Sequence, residues 1–288
     1  MPTSQPPTGS PIDVPSRRAA VLGSPIRHSL SPVLHAAAYE ALGLTGWRYE
    51  AFECDEAGLP AFVGRLGPEW AGLSLTMPLK RVALTLADEV APLAGAVGAV
   101  NTLIFGERIR AENTDVAGVV AALREGGLDH ADTAVILGAG GTAQAALAAL
   151  AELGATTPTV LVRDPARTVE LREAAERLGV RPVISGGLTT APIPQADVVI
   201  STLPSGAADH LPVQHWTGGA VLLDVVYSPW PTPLARAALA ADCRVVSGLA
   251  VLLHQAVAQV ELMTGHPGPL APMRKALNDA VRARENAS

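Results

Sequence analysis

Strands and helices alternate along this chain in two separate runs, which predicts an α/β protein of two domains built on mainly parallel sheets. The first run opens at "RRAAVLGSPI" and closes at "GLSLTM", and the second opens at "DTAVILGAGGTAQAALAALAELGA". Beyond the last strand candidate, "SGLAVLLHQAVAQVELMTG" reads as one long apolar helix and "PLAPMRKALNDAVRAR" as a more polar one. These closing helices are expected to return to the first domain.

A length of 288 residues allows two cores. The chain is 49% hydrophobic, 17% charged and positive in mean hydropathy, which excludes an extended disordered protein. A net charge of -6 without a basic run leaves no electrostatic footprint for nucleic acid. No stretch reaches 18 consecutive apolar residues, so no membrane span is expected. Cys54 and Cys243 have neither disulfide-framework nor zinc spacing, and "MPTSQPPTGSPIDVPS" reads as a flexible tail over 1–17 without a signal-peptide core. A cytoplasmic protein is expected.

In the first run a strand is placed at about Ala19 to Leu22. A helix follows with Ser31 as N-cap, Pro32 at its first position and Gly43 as its stop. "WRYEAFEC" alternates as a strand and "EAGLPAFVGRL" suggests a helix. Leu73 to Met77 reads as a buried strand that Pro78 ends, leaving Lys80 at its mouth. Taken alone, Lys80 reads first as an ordinary solvated lysine opening the next helix. The division between domains is placed near residue 116. That gives a first domain of 18–116 plus 248–288 and a second of 117–247.

In the second run, a strand at Ala134 to Leu137 leads through glycines into a helix from Thr142 to Leu153. "TPTVLVR", "ADVVISTLP" and "GAVLLDVVY" supply three further strands. Gly138, Gly140 and Ala143 form G-x-G-x-x-A between strand and helix, the context of a Rossmann dinucleotide site. Ala139, Gly141 and Thr142 complete that turn. Such a loop lets the backbone approach a pyrophosphate at a helix N-terminus. After the next strand, the position of an NAD-binding acid is held by Val162 and Arg163, with Arg167 a turn later. Paired guanidiniums suit a ribose 2'-phosphate, so NADP(H) is the expected cofactor. Asp164 opposes that preference unless it turns away, and both arginines also read as ordinary surface charges.

The first domain carries polar clusters at "SLS" (29–31), "SLTMPLK" (74–80), "AVNTL" (99–103) and "ENTD" (112–115). Individually, the serines read as helix caps, Asn101 as a turn holder and Asp115 as a cap. Together they suit a small polyhydroxylated acid, with hydroxyls at a helix N-terminus for its carboxylate and Asn and Asp for ring hydroxyls. No metal site is expected, because the histidines lack ligand spacing. His28 and His35 are seven apart, and His210 and His215 five apart.

These motifs resemble those of the shikimate dehydrogenases. The similarity runs in order through "GSPIRHSLSPVLH", "SLTMPLK", "GAVNTL", "ENTDVAG", "GAGGTAQAAL", "STLPSG" and "DVVYSPWPTPL" to "GLAVLLHQAVAQVELMTG", over roughly 21–265. The resemblance implies that Ser29 and Ser31 hold a substrate carboxylate. It implies that Thr76, Asn101, Asp115 and Gln255 meet or place the ring, that Lys80 and Asp115 form the catalytic pair, and that Tyr227 lies near the substrate. It implies cofactor contacts from Thr202, Val225 and Gly248 besides the glycine loop, and a helix bearing Gln255 that packs on the first domain.

Four positions depart from the family pattern: Ser74 where Asn is usual, Ala36 where Asn is common, Val251 where Met is frequent, and Val162-Arg163-Asp164 in place of Asn-Arg-Thr. The implied reaction is reversible reduction of 3-dehydroshikimate to shikimate by NADPH, in a monomer or a homodimer. A quinate/shikimate or aminoshikimate dehydrogenase using NAD is the alternative. A non-catalytic sensor on the same fold is a further one, expected to have lost Lys80, Asp115 or the glycine loop.

Overall fold

The structure, a computed structural model, describes residues 16–189, 192–209, 211, 216 and 218–286. The expected tail (1–15 of it) and the pair His210 and His215 lie outside the described residues.

Two sheets organise the chain. The first run gives β1 (Arg17–Gly23), α1 (Ser31–Ala41), β2 (Trp47–Glu53), α2 (Leu59–Val63) and β3 (Trp70–Leu75). It continues through β4 (Glu89–Val90), α3 (Pro92–Val97), β5 (Thr102–Ile104), β6 (Arg110–Glu112) and α4 (Asp115–Glu125). The strand order is β2-β1-β3-β5-β6-β4. β1 runs parallel to β2 and β3, whereas β5 pairs antiparallel with both β3 and β6. The sheet is thus mainly parallel, as expected, with β5 alone running against its five other strands: β5 and β6 fold back as a short hairpin, and a tight reversal needs no crossover helix. That reversal brings Asn101, just before β5, beside the end of β6 and the start of α4.

Three local expectations are corrected. β1 starts at Arg17, inside the span expected to be tail, because Arg17 already pairs with Trp47. β3 ends at Leu75 rather than Met77, and Met77 is 67% exposed. In α1 the N-cap is Leu30 and Ser31 is the first helical residue, so Ser31 does not cap. Instead Ser29 Oγ accepts from Ser31 N at 3.3 Å.

The second run gives β7 (Ala134–Leu137), α5 (Gly141–Glu152), β8 (Thr159–Leu161), α6 (Val169–Leu178) and β9 (Val183–Ser185). Next come β10 (Val198–Ser201), β11 (Val221–Asp224), α7 (Pro233–Ala240), β12 (Arg244–Ser247), α8 (Gly248–Thr264) and α9 (Leu270–Glu285). β12 is a strand that the sequence pattern misses. The parallel order β12-β11-β10-β7-β8-β9 reverses direction between β7 and β10, the switch point at which doubly wound sheets bind ligands.

Small aliphatic side chains fill both cores. Ala143, Ala146, Leu147 and Leu150 of α5 are buried against Ile136 and Val160. α8 lies against α4, and Leu253, Ala256 and Val260 of α8 share a cluster with Leu34 and Ala38 of α1 and Met273 of α9. The long apolar helix therefore returns to the first sheet. Cys54 and Cys243 are buried in separate cores and are not joined by a disulfide. No helix among the described residues is long and apolar enough to cross a membrane.

Candidate active site

A cavity of about 380 Å³ lies between the carboxyl ends of the two sheets. From the first sheet and α1 it receives Ser29, Ser31, Thr76, Lys80, Asn101 and Asp115; from α8, Gln255; and from the second sheet's side, Thr142, Val225, Tyr227 and Gly248. The clusters that are separate in sequence converge because each ends a strand or opens a helix on the same side.

Lys80 follows β3, and its carbonyl accepts from Val100 N at 2.7 Å, which pins the lysine segment beside Asn101. Lys80 Nζ donates to Asp115 Oδ2 at 2.5 Å, and the two side chains are 20% and 11% exposed. Lys80 is therefore not an ordinary solvated lysine. Asp115 does not cap α4 either. Asn113 Oδ1 accepts from Asp115 N at 3.0 Å and from Val116 N at 3.3 Å, which leaves the Asp115 carboxylate free to face inward.

Asn101 holds the other carboxylate oxygen, its Nδ2 donating to Asp115 Oδ1 at 2.8 Å and to Thr114 Oγ1 at 2.9 Å. Its Oδ1 accepts from Thr114 N at 2.8 Å and Thr102 Oγ1 at 2.9 Å. With both amide hydrogens and both lone pairs engaged by the protein, Asn101 serves first to hold Asp115. Gln255 Nε2 donates to Leu252 O at 2.8 Å, leaving its oxygen 3.5 Å from Asn101 Nδ2. Burial pushes the Tyr227 hydroxyl up from its ordinary pKa, so it stays a neutral donor.

Sequence reasoning passes over Gln259, which lines this cavity, and over Tyr49 and Thr102, which lie behind it. Gln259 lies four residues from Gln255 on α8, the same helix face, and that spacing was the available signal. His28 and Val251 also line the cavity, while His35 is buried and stacked on Tyr49 with ring centroids 3.8 Å apart. Among the described residues no group of His, Cys, Asp and Glu could hold a metal ion.

The glycine loop opens onto the same cleft. Gly138 has φ +105°, and a Cβ there would meet Thr202 Oγ1 at 2.6 Å. Thr202 Oγ1 donates to Leu137 O at 2.8 Å, tying β10 to the end of β7. Around the Cβ position of Gly140 there is no atom within 4 Å, so open space fronts the N-terminus of α5. Ala139 and Gly141 flank that space, and Ala143 is buried as the third small residue of the turn. This fits a dinucleotide pyrophosphate. Arg163 and Arg167 are exposed beyond the end of β8. Asp164 Oδ1 accepts from Ala166 N at 2.9 Å, so its side chain turns into the following 3₁₀ turn.

A larger cavity of about 570 Å³ lies at the amino edge of the second sheet, around Asp132, Asp197 and Arg244. Its polar groups are structural: Asp197 Oδ2 accepts from Asp132 N, Thr133 N and Thr133 Oγ1 at 2.8–3.0 Å, joining β7 to β10.

A switch-point glycine loop facing a buried Lys–Asp pair across one cleft defines a two-domain α/β oxidoreductase of the nicotinamide-dependent kind. Residues 21–103 match the family profile described as the shikimate dehydrogenase substrate binding domain, and 248–277 match the shikimate 5'-dehydrogenase C-terminal domain. The shikimate dehydrogenase (NADP(+)) of Methanothermobacter thermautotrophicus is 37% identical over 269 residues, covering 89% of this chain and 94% of that protein. The crystal structure of Mycobacterium tuberculosis shikimate dehydrogenase is 45% identical with a TM-score of 0.77, covering 92% of this chain and 99% of that one. The Thermus thermophilus enzyme in complex with NADP(H) and shikimate is 35% identical with a TM-score of 0.80, over 92% and 99%. The chain belongs to the shikimate dehydrogenase family.

Proposed function

We propose that this chain catalyses the reversible reduction of 3-dehydroshikimate to shikimate by NADPH, with Lys80 and Asp115 as the catalytic pair. The observation that carries the reading is the 2.5 Å Lys80–Asp115 ion pair lining a cavity that the glycine-loop helix also borders.

Bound NADPH supplies the hydride. At the substrate carbonyl oxygen, where negative charge would develop on reduction, Lys80 Nζ donates the proton that leaves a hydroxyl. One ammonium hydrogen is committed to Asp115, and the others are available to the cavity. A positioned acid of this kind contributes about 10²- to 10⁴-fold. In the oxidation direction neutral Lys80 takes the hydroxyl proton. Ser29 and Ser31, at the N-terminus of α1, hold the carboxylate where the helix dipole favours an anion. Thr76, Gln255, Asp115 and Tyr227 orient the ring, with Asn101 behind Asp115.

For the cofactor, Gly138 to Ala143 hold the pyrophosphate, and Arg163 and Arg167 the 2'-phosphate. Thr202, Val225 and Gly248 would lie on the nicotinamide side. The catalytic unit is 18–116 with 248–288, the cofactor unit is 117–247, and the protein works in the cytoplasm as a monomer or homodimer.

Initial rates with shikimate or quinate, each with NADP or NAD, test the reading. Turnover confined to shikimate with NADP supports it. Preference for quinate or NAD points to the quinate/shikimate alternative, and no turnover with any pair points to a sensor.

A further inference from the structure

A line of polar groups runs from Tyr49 to Asp115 along the cavity wall, where Ser74, Gln259, Asn101 and Asp115 border the cavity and Tyr49 and Thr102 lie behind it. Tyr49 Oη is 2.6 Å from Ser74 Oγ, which is 2.7 Å from Gln259 Oε1. Gln259 Nε2 is 2.9 Å from Thr102 Oγ1, and Thr102 Oγ1 is 2.9 Å from Asn101 Oδ1. Asn101 Nδ2 reaches Asp115 Oδ1 at 2.8 Å, and Asp115 Oδ2 meets Lys80. Ser74, Asn101, Thr102 and Gln259 are at most 4% exposed, so water does not compete for these bonds.

The direction of each bond follows from groups that have no choice. Thr114 N can only donate, and it donates to Asn101 Oδ1, which fixes that amide and turns its Nδ2 to Asp115. Thr102 must then give its hydroxyl hydrogen to Asn101 Oδ1 and accept from Gln259. The Asn101 carbonyl, which can only accept, takes the second hydrogen of Gln259 Nε2 at 3.3 Å. Gln259 Oε1 therefore faces Ser74, Ser74 donates to it, and Tyr49 donates to Ser74. Every bond points the same way, toward the carboxylate, an arrangement in which successive bonds polarise and strengthen one another. The Tyr49 ring is itself held by its stack on buried His35.

We propose that Tyr49, Ser74 and Gln259 are positioning residues for the Lys80–Asp115 pair, acting through Thr102 and Asn101 on the orientation of the Asp115 carboxylate. The proposal rests on the catalytic roles given above to Lys80 and Asp115. Tyr49 does not line the cavity, so its hydroxyl can influence turnover only through Ser74.

The test is steady-state kinetics of full-length Tyr49→Phe, Gln259→Met and the double variant, with Lys80→Met alongside. Tyr49→Phe keeps the stacked ring and removes only the first donor, and Gln259→Met keeps length while cutting the line. Each single variant is expected to lose kcat on the order of tenfold, and in Tyr49→Phe, whose hydroxyl lies off the cavity, KM for shikimate and NADP is expected to change less than about twofold. The double variant is expected to be no slower than Gln259→Met, because a line already cut cannot be cut again. Wild-type kcat in both single variants, or multiplicative losses in the double, would overturn the proposal. If Lys80→Met is inactive in those same experiments, only the positioning role fails; if it turns over normally, the catalytic assignment fails first.

Discussion

The carboxylate of Asp115 is divided between two partners, Oδ2 facing the Lys80 ammonium at 2.5 Å and Oδ1 facing the Asn101 amide at 2.8 Å. Both partners are donors, so the site suits a carboxylate and no neutral isostere. In Asp115→Asn, one amide end must turn its hydrogens on Lys80 or on Asn101. Turnover is expected to fall by about 10²-fold or more, while circular dichroism and binding of NADP are retained.

Two glycines of the cofactor cleft are constrained in different ways. A Cβ on Gly248 would lie 2.0 Å from Val225 O, so Gly248→Ala is expected to cost about 1–3 kcal/mol, read as a lower Tm. Gly140 has ordinary φ and open space, so Gly140→Val is expected to keep its Tm and to raise KM for NADP about tenfold or more.

Arg163 and Arg167 are surface side chains placed beyond β8. Arg163→Ala with Arg167→Ala is expected to raise KM for NADP by about tenfold while leaving KM for NAD nearly unchanged. Parallel titration of the two cofactors checks this, and equal losses for both would remove the 2'-phosphate assignment.

His35 is wholly buried, and desolvation pushes its pKa down to about 3, opposed only in part by the nearby Gln259 amide. The unfolded chain therefore binds a proton that the folded chain refuses between pH 6.5 and that value. This contribution to stability is complete above pH 6.5 and is lost as pH falls, at up to about 1.4 kcal/mol per pH unit. Urea unfolding from pH 7 to 5 should show that slope, and His35→Phe, which keeps a ring on Tyr49, should flatten it.

The glycine loop was legible because Gly138 and Gly140 sit between an apolar strand and an alanine helix, a juxtaposition with few other uses. Lys80 and Asp115 were legible as a pair only through the family resemblance, since 35 positions of sequence carry no distance. The hairpin of β5 and β6 escaped because three-residue strands are too short to show a period. β12 escaped because Arg244 to Ser247 runs directly into α8. Ser31 was misplaced because Ser-Leu-Ser offers two hydroxyls, and only the backbone decides which one accepts. Gln259 was hidden by its setting, one polar residue in an apolar helix, where nothing in the sequence reveals that Ser74 waits opposite.

The most direct measurement is the rate of NADPH oxidation with 3-dehydroshikimate at saturation, for wild type and Lys80→Met, with shikimate binding to each followed by calorimetry. Wild type should turn over, and Lys80→Met should bind shikimate yet turn over about 10²- to 10⁴-fold more slowly. Near-normal turnover by Lys80→Met would contradict the proton-donor role at the centre of the mechanism.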